Sequence, residues 1–294
     1  MTMADRGKYE PSVTKRTHTK AIRGVEYHIN EWGDEAAPLF FYLHGWADAG
    51  STFQFVVDAL AADWRVIAPD WRGFGRTVHR CDSYWFPDYL ADLHALLDEF
   101  TPGTPARLVG HSMGANVGSL YAGTMPERVS AFVNVEGFGL PDSDPIEAPR
   151  RYRDWLTSGR ERLEFSTYAD FEALAERVRK RNPGLSAAQA DFVAREWAYE
   201  DGAEVRLRAD PRHKLPNPVL YRRAEAEACW QNVSARVLLI SGDRSPFATQ
   251  LGRLDDLPFP DKRSSTIKGS GHMVHFEAPA SLAEHIEQFF RQPL

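Results

Sequence analysis

With 294 residues, 43% hydrophobic and 12% aromatic, the chain carries ample apolar mass for a folded core, and its length allows about two domains. Thirty-five basic against 41 acidic residues leave a net charge of −6, which disfavours nucleic-acid partners and anionic membrane surfaces. Two cysteines, Cys81 and Cys229, are too few for a disulfide framework or a four-thiolate metal site, and are expected to be reduced, partly buried thiols.

The first twenty residues are polar and contain no apolar run of the signal-peptide kind, so residues 1–20 read as a loose extension. No stretch approaches the 18 apolar residues of a membrane span, so neither membrane insertion nor secretion is expected, and the location expected is cytoplasmic. From Val25 to Gly139, short apolar runs alternate with longer amphipathic ones, the rhythm of strands joined by crossover helices around a parallel sheet. Strands are predicted at Leu39–Leu43, Arg65–Ala68, Ala106–Val109 and Ala131–Val135, with helices near Ser51–Ala62, Tyr84–Phe100 and Met113–Met125. Polar and glycine-rich clusters follow each strand: His44-Gly45, Asp70-Trp71-Arg72-Gly73, Gly110-His111-Ser112 and Glu136-Gly137. The carboxyl ends of strands in an open parallel sheet are where ligands bind.

After Gly139 the rhythm breaks. Residues 140–230 hold 16 Lys or Arg and 17 Asp or Glu at helical spacing without a convincing strand, and read as an inserted helical cap with solvated faces. Its aromatic residues pack within the cap or line a pocket; its balanced charge predicts no anion trap and a small or medium uncharged acyl substrate. Strands resume at Arg236–Ile240 and Arg263–Ile267, and Pro279–Phe290 closes the chain as an amphipathic helix. The expected architecture is α/β, a mostly parallel doubly wound sheet built from residues 21–139 and 231–294, with 140–230 inserted. Nothing in the sequence fixes an oligomeric state.

The strongest chemical signal is Gly110-His111-Ser112-Met113-Gly114, between a predicted strand and a predicted helix. A nucleophile on so tight a turn needs small residues two positions either side, and the following helix N-terminus stabilises developing negative charge. On these residues the sequence resembles the α/β-hydrolase superfamily, in its serine-nucleophile branch with a helical cap, over about residues 21–139 and 231–294. The resemblance implies a cofactor-independent enzyme with no metal. It also implies that His44-Gly45-Trp46 opens an oxyanion-hole loop, with backbone N–H groups donated by Trp46 and Met113. His44 itself reads as a buried residue holding that loop.

Serine needs a neutral imidazole to remove its proton, and His272, in Gly271-His272-Met273 after the last strand, fits in order and context, with His275 as the alternative. His272 and His275 as metal ligands would need a further Cys or His partner, and the sequence places none beside them. The third residue departs from the family's common Gly-x-x-Asp: Gly242 is followed by Asp243, Arg244 and Ser245. Glu136, at the end of the strand beside the nucleophile strand, is the leading acid, a position some branches of the superfamily use; Asp243, Asp142 and Asp144 are the alternatives. Asp70 and the glycines after it read as a structural turn rather than a cofactor site. The expected activity is hydrolysis of a small or medium, largely apolar carboxylic ester, or a related acyl compound, through an acyl-enzyme, with a small molecule as substrate and no nucleic-acid partner. A carbon–carbon bond hydrolase, a lactonase, an aminopeptidase and a non-catalytic small-molecule-binding protein remain alternatives. Dehalogenases and epoxide hydrolases of this fold need Asp where Ser112 stands.

Overall fold

The computed structural model describes residues 7–79, 81–158, 163–246 and 254–291. In chain order its strands are β1 Arg16–Ile22, β2 Val25–Trp32, β3 Leu39–Leu43, β4 Arg65–Pro69, β5 Ala106–His111, β6 Val129–Val135, β7 Ala198–Asp201, β8 Glu204–Leu207, β9 Arg236–Gly242 and β10 Lys262–Ile267. Eight of these form one sheet in the order β1-β2-β4-β3-β5-β6-β9-β10, while β7 and β8 make a separate hairpin. β2 pairs antiparallel with β1 and β4, and the other neighbours in the large sheet are parallel.

The central strand shows why this sequence makes a two-faced sheet. In Leu-Phe-Phe-Tyr-Leu the side chains alternate: Phe41 and Leu43 enter one apolar layer, Phe40 and Tyr42 the other. The first layer is closed by α2 Phe86–Phe100, α3 Met113–Thr124 and α7 Arg223–Gln231; the second by α1 Gln54–Val57 and α9 Pro279–Arg291. The insertion between β6 and β9 contributes α4 Ala148–Ser158, α5 Phe171–Arg181 and α6 Ala187–Trp197. Leu174, Val178, Ala190 and Val193 of α5 and α6 pack together with Phe55 and with Phe276 of α8 Val274–Glu277.

Four expectations are corrected. The segment read as a loose extension contains β1, whose inward positions His18, Lys20 and Ile22 alternate with exposed ones, and whose polarity is that of an edge strand. Arg23 and Gly24, at φ +48° and +78°, close its two-residue hairpin with β2. The helix expected over Ser51–Ala62 is a 3-10 turn, Gly50–Phe53, followed by α1; at its far end the Ala62 N–H is taken by the Glu287 carboxylate of α9 instead of continuing the helix. The insertion holds the β7–β8 hairpin, turning at Gly202 (φ +65°). Finally, α7 lies on the sheet side of the boundary placed at residue 230: Trp230 stacks on Phe259, and a Cβ on Gly123 of α3 would fall 1.8 Å from the Cys229 carbonyl oxygen. Cys81 and Cys229 are free, partly buried thiols, and among the described residues no helix is long and apolar enough to cross a membrane.

Candidate active site

Ser112 sits between β5 and α3 with φ +50° and ψ −113°, a backbone state that side chains rarely adopt. Glycine at 110 and 114 makes the turn possible. A Cβ on Gly110 would lie 2.6 Å from Ala115 Cα, and one on Gly114 would lie 2.1 Å from the Leu43 carbonyl oxygen. The Ser112 N–H donates to the Val135 carbonyl (2.8 Å), fixing the turn to the adjacent strand. His272 approaches from the loop after β10, with Nε2 3.0 Å from Ser112 Oγ and Nδ1 3.2 Å from Glu136 Oε2.

Parallel pairing of β6 with β9 explains where Glu136 lies. Val135 is in register with Ile240, so the next residue reaches the start of the Gly242 turn; the Glu136 N–H donates to the Ile240 carbonyl at 3.0 Å. Its carboxylate is buried and accepts three bonds: from Gly242 N–H on Oε1 (2.7 Å), and from Ser245 Oγ (2.5 Å) and His272 Nδ1 on Oε2. Ser245, in the place of the common acid, thus becomes a hydroxyl donor to an acid on the neighbouring strand. With the carboxylate accepting from Nδ1–H, Nε2 presents its lone pair to Ser112.

The structure brings together Ser112, His272 and Glu136 and sets the alternatives elsewhere. Asp243 Oδ1 accepts the Gly269 N–H (2.8 Å) in an exposed turn; Asp142 accepts the Arg223 N–H, and Asp144 caps Ile146. His275 is fully buried, with Nε2 3.2 Å from Asp48 Oδ2.

The loop after β3 lies against Ser112: a Cβ on Gly45 would be 3.3 Å from Ser112 Cβ and 2.8 Å from His111 Nδ1. Among the described residues, neither the Trp46 nor the Met113 N–H has an acceptor. His44 holds this loop from inside. Its Nε2 accepts the Trp71 N–H (2.8 Å), so its Nδ1–H donates to the Gly45 carbonyl (2.7 Å), and burial lowers its pKa and keeps it neutral. Asp70 accepts the N–H groups of Gly50 and Arg76, while Gly73 and Gly75 adopt positive φ, as the structural reading of that turn expects.

A cavity of about 730 Å³ opens beside His272. Trp46, Phe165, Tyr168, Leu174, Val178 and Trp197 give it apolar walls. Among the described residues, the cations Arg177, Arg181, Lys214 and Arg244 also line it, against one carboxylate, Glu277, so the insertion's balanced count does not describe this inner face.

A family model described as the alpha/beta hydrolase fold matches residues 38–279. The chain belongs to the α/β-hydrolase fold family. A serine hydrolase-like protein of Danio rerio is 28% identical over 277 residues, covering 88% of this chain and 83% of that protein. An epoxide hydrolase of Caballeronia sordidicola is 36% identical over 124 residues, only 41% of this chain and 36% of that protein. Among solved structures, the thioesterase domain from the curacin biosynthetic pathway superposes with a TM-score of 0.83 at 25% identity, covering 94% of this chain and 99% of that one.

In this α/β-hydrolase the residue that sequence reasoning missed is Asp48. Its Oδ1 accepts from Ala49 N–H, Thr52 Oγ and the Trp197 indole N–H (2.7 Å), and its Oδ2 faces His275. One buried carboxylate therefore ties the loop after β3, the insertion and α8, the short helix that follows His272. Burial acts to raise the Asp48 pKa, but the bonds from His275 and Trp197 outweigh it and hold the group well below the usual carboxylate range. His111 adds a second tie, its Nε2–H donating to the His272 carbonyl (2.9 Å), and burial pushes its pKa well down. The expectation that His275 lacks metal-ligand partners is corrected: Asp48, His111 and His275 offer ligand atoms within 4.8 Å of one another. Both Asp48 oxygens and His275 Nε2 are engaged in hydrogen bonds, a pattern of a clasp rather than of free ligands. The available signal was Asp48 itself, four residues after the strand-end histidine and one turn before Thr52.

Proposed function

We propose that this α/β-hydrolase is a serine hydrolase that cleaves a carboxylic ester or related acyl compound, a thioester included, through an acyl-enzyme. The observation that carries the reading is the hydrogen-bonded line from Ser112 Oγ through His272 to the buried Glu136 carboxylate. As Ser112 Oγ attacks the carbonyl carbon, its proton passes to His272 Nε2, and Glu136 stabilises the imidazolium through Nδ1–H. The carbonyl oxygen becomes an oxyanion, for which Trp46 and Met113 N–H are the available donors, each worth roughly 3–4 kcal/mol in comparable sites. Collapse expels the leaving group, which takes the proton from Nε2 and leaves an acyl-Ser112. Water, deprotonated by the same nitrogen, then attacks the acyl carbon and restores the serine.

The apolar walls suit short or medium acyl chains. The partial match to an epoxide hydrolase does not favour that chemistry here, because alkylation requires a carboxylate nucleophile and Ser112 supplies a hydroxyl. Labelling with a fluorophosphonate tests the reading: the wild-type chain should label at Ser112, and Ser112→Ala should not. A folded wild-type chain that neither labels nor hydrolyses p-nitrophenyl esters would favour a non-catalytic binding protein instead.

A further inference from the structure

The charge on the cavity wall is sorted in a way the composition does not require. The chain is acidic overall, with 41 acidic against 35 basic residues, yet among the described residues four cations and one carboxylate line the space beside His272. Glu277 is buried and committed, accepting the Gly271 N–H and lying 3.9 Å from Arg244. Lys214 donates to the Glu164 carbonyl (2.6 Å) and sits 4.5 Å from the Phe165 ring centre, and Arg244 donates to the Gly269 carbonyl. Arg177 and Arg181 differ: among the described residues, neither has an ion pair or a hydrogen-bond acceptor.

These two arginines belong to one stripe of α5. Leu174, Arg177, Val178 and Arg181 recur at helical spacing and all line the cavity, so this face presents two guanidinium groups above an apolar floor. Residues four apart on a helix stand about 6 Å from one another, and a like-charge pair there costs a few tenths of a kcal/mol. An anion between them removes that repulsion, and guanidinium groups bind carboxylate and phosphate oxygens with matched geometry.

We propose that the substrate of this site is an anionic acyl compound, an ester or thioester whose carboxylate or phosphate group is held by Arg177 and Arg181 while its carbonyl reaches Ser112. This rests on the acyl-hydrolase reading and narrows it: the uncharged substrate expected from the cap's charge count gives way to one charged at the end distant from the scissile bond.

The test compares matched pairs at low ionic strength. Mono-p-nitrophenyl glutarate against p-nitrophenyl butyrate places the anion on the acyl side; butyryl-coenzyme A against S-butyryl-N-acetylcysteamine places it on the leaving group. The anionic member of at least one pair should show kcat/KM higher by about tenfold, and which pair shows it assigns the anion to one side. The preference should shrink as salt is raised. It should vanish or invert in Arg177→Glu/Arg181→Glu, while Arg179→Glu/Lys180→Glu, the same charge change on the same helix outside the cavity, preserves it. Equal kcat/KM within both pairs overturns the proposal. Titration of Ser112→Ala with the two p-nitrophenyl esters and with the two thioesters keeps this separate from catalysis. Tighter binding of an anionic member, lost in the double arginine variant, supports the anion site even if no ester is turned over, whereas equal affinities within both pairs overturn it.

Discussion

Replacing Glu136 with Gln tests the proposed relay at the acid that departs from the family's common Gly-x-x-Asp position. The amide keeps the size of the carboxylate but offers one oxygen and one NH2 group in place of two acceptors. Oε1 is fixed by the Gly242 N–H at 2.7 Å, so the amide oxygen must take that position and the NH2 group must face Ser245 and His272. Ser245 can adjust, because its hydroxyl can turn to accept. His272 cannot: the NH2 donates to Nδ1, which forces the ring proton onto Nε2, the nitrogen that must accept the proton of Ser112. The matching substitution in a serine protease costs on the order of 10⁴ in kcat, equivalent to about 5 kcal/mol of transition-state stabilisation.

The assay is kcat for a p-nitrophenyl ester in Glu136→Gln and Asp243→Asn side by side, with thermal melts to show that both fold. KM should change little, since Glu136 is buried behind the histidine. In Glu136→Gln/Ser245→Asp an added carboxylate starts from the position whose hydroxyl now lies 2.5 Å from Glu136 Oε2, and at least tenfold of the lost rate should return as the histidine regains an acceptor. Glu136→Gln retaining most of its activity while Asp243→Asn is dead would refute the reasoning and return the acid to the loop after Gly242.

Ser112→Ala and His272→Ala should each abolish ester turnover, by a factor on the order of 10⁶ in kcat because the pair acts as a unit; a p-nitrophenol burst from folded Ser112→Ala would contradict the nucleophile. Asp48→Ala should cost about 3 kcal/mol in urea unfolding, since it strips the buried His275 of its acceptor; a loss under 1 kcal/mol would break the argument for a clasp. His213 lies between Phe74 and Tyr84, and burial pushes its pKa down to about 3. Because the unfolded imidazole takes up its proton near pH 6.5 and the folded one does not, this residue removes stability as pH falls from about 6.5 toward 3; His213→Phe should flatten that part of the stability profile, and an unchanged slope would contradict the assignment. Finally, p-nitrophenyl butyrate should be hydrolysed faster than the palmitate ester, and the reverse order would contradict the short-to-medium chain reading.

The central sheet was legible because β3, β5, β6 and β9 are short apolar runs ending in turn residues, and the Gly-His-Ser-Met-Gly sequence sits where β5 must turn into α3. β1 was not, because an edge strand paired on one side only needs little apolar content; its three inward residues are a histidine, a lysine and an isoleucine. Four carboxylates stayed open as the acid because linear spacing carries no distance across a sheet. Pairing of Val135 with Ile240 turns a separation of more than one hundred residues into a contact between Glu136 and the Gly242 turn. Asp48 escaped notice for a related reason: its four partners come from its own loop, from the insertion and from α8, and only their convergence gives it weight.

Charge shows the same difference between composition and placement. Sixteen cations and 17 acids over residues 140–230 sum to almost nothing, and a count alone predicts an interior face without polarity. Helix geometry then divides them. On α5 the residues at 174, 177, 178 and 181 line the cavity while Glu176, Arg179 and Lys180 do not, so the one acid in the middle of the helix is excluded from the face that carries two arginines. A Coulomb interaction falls with distance, so a guanidinium in contact with a bound anion outweighs an acid that does not line the cavity. The insertion's near-zero sum is therefore compatible with a cationic inner face, and it is the inner face that a substrate meets.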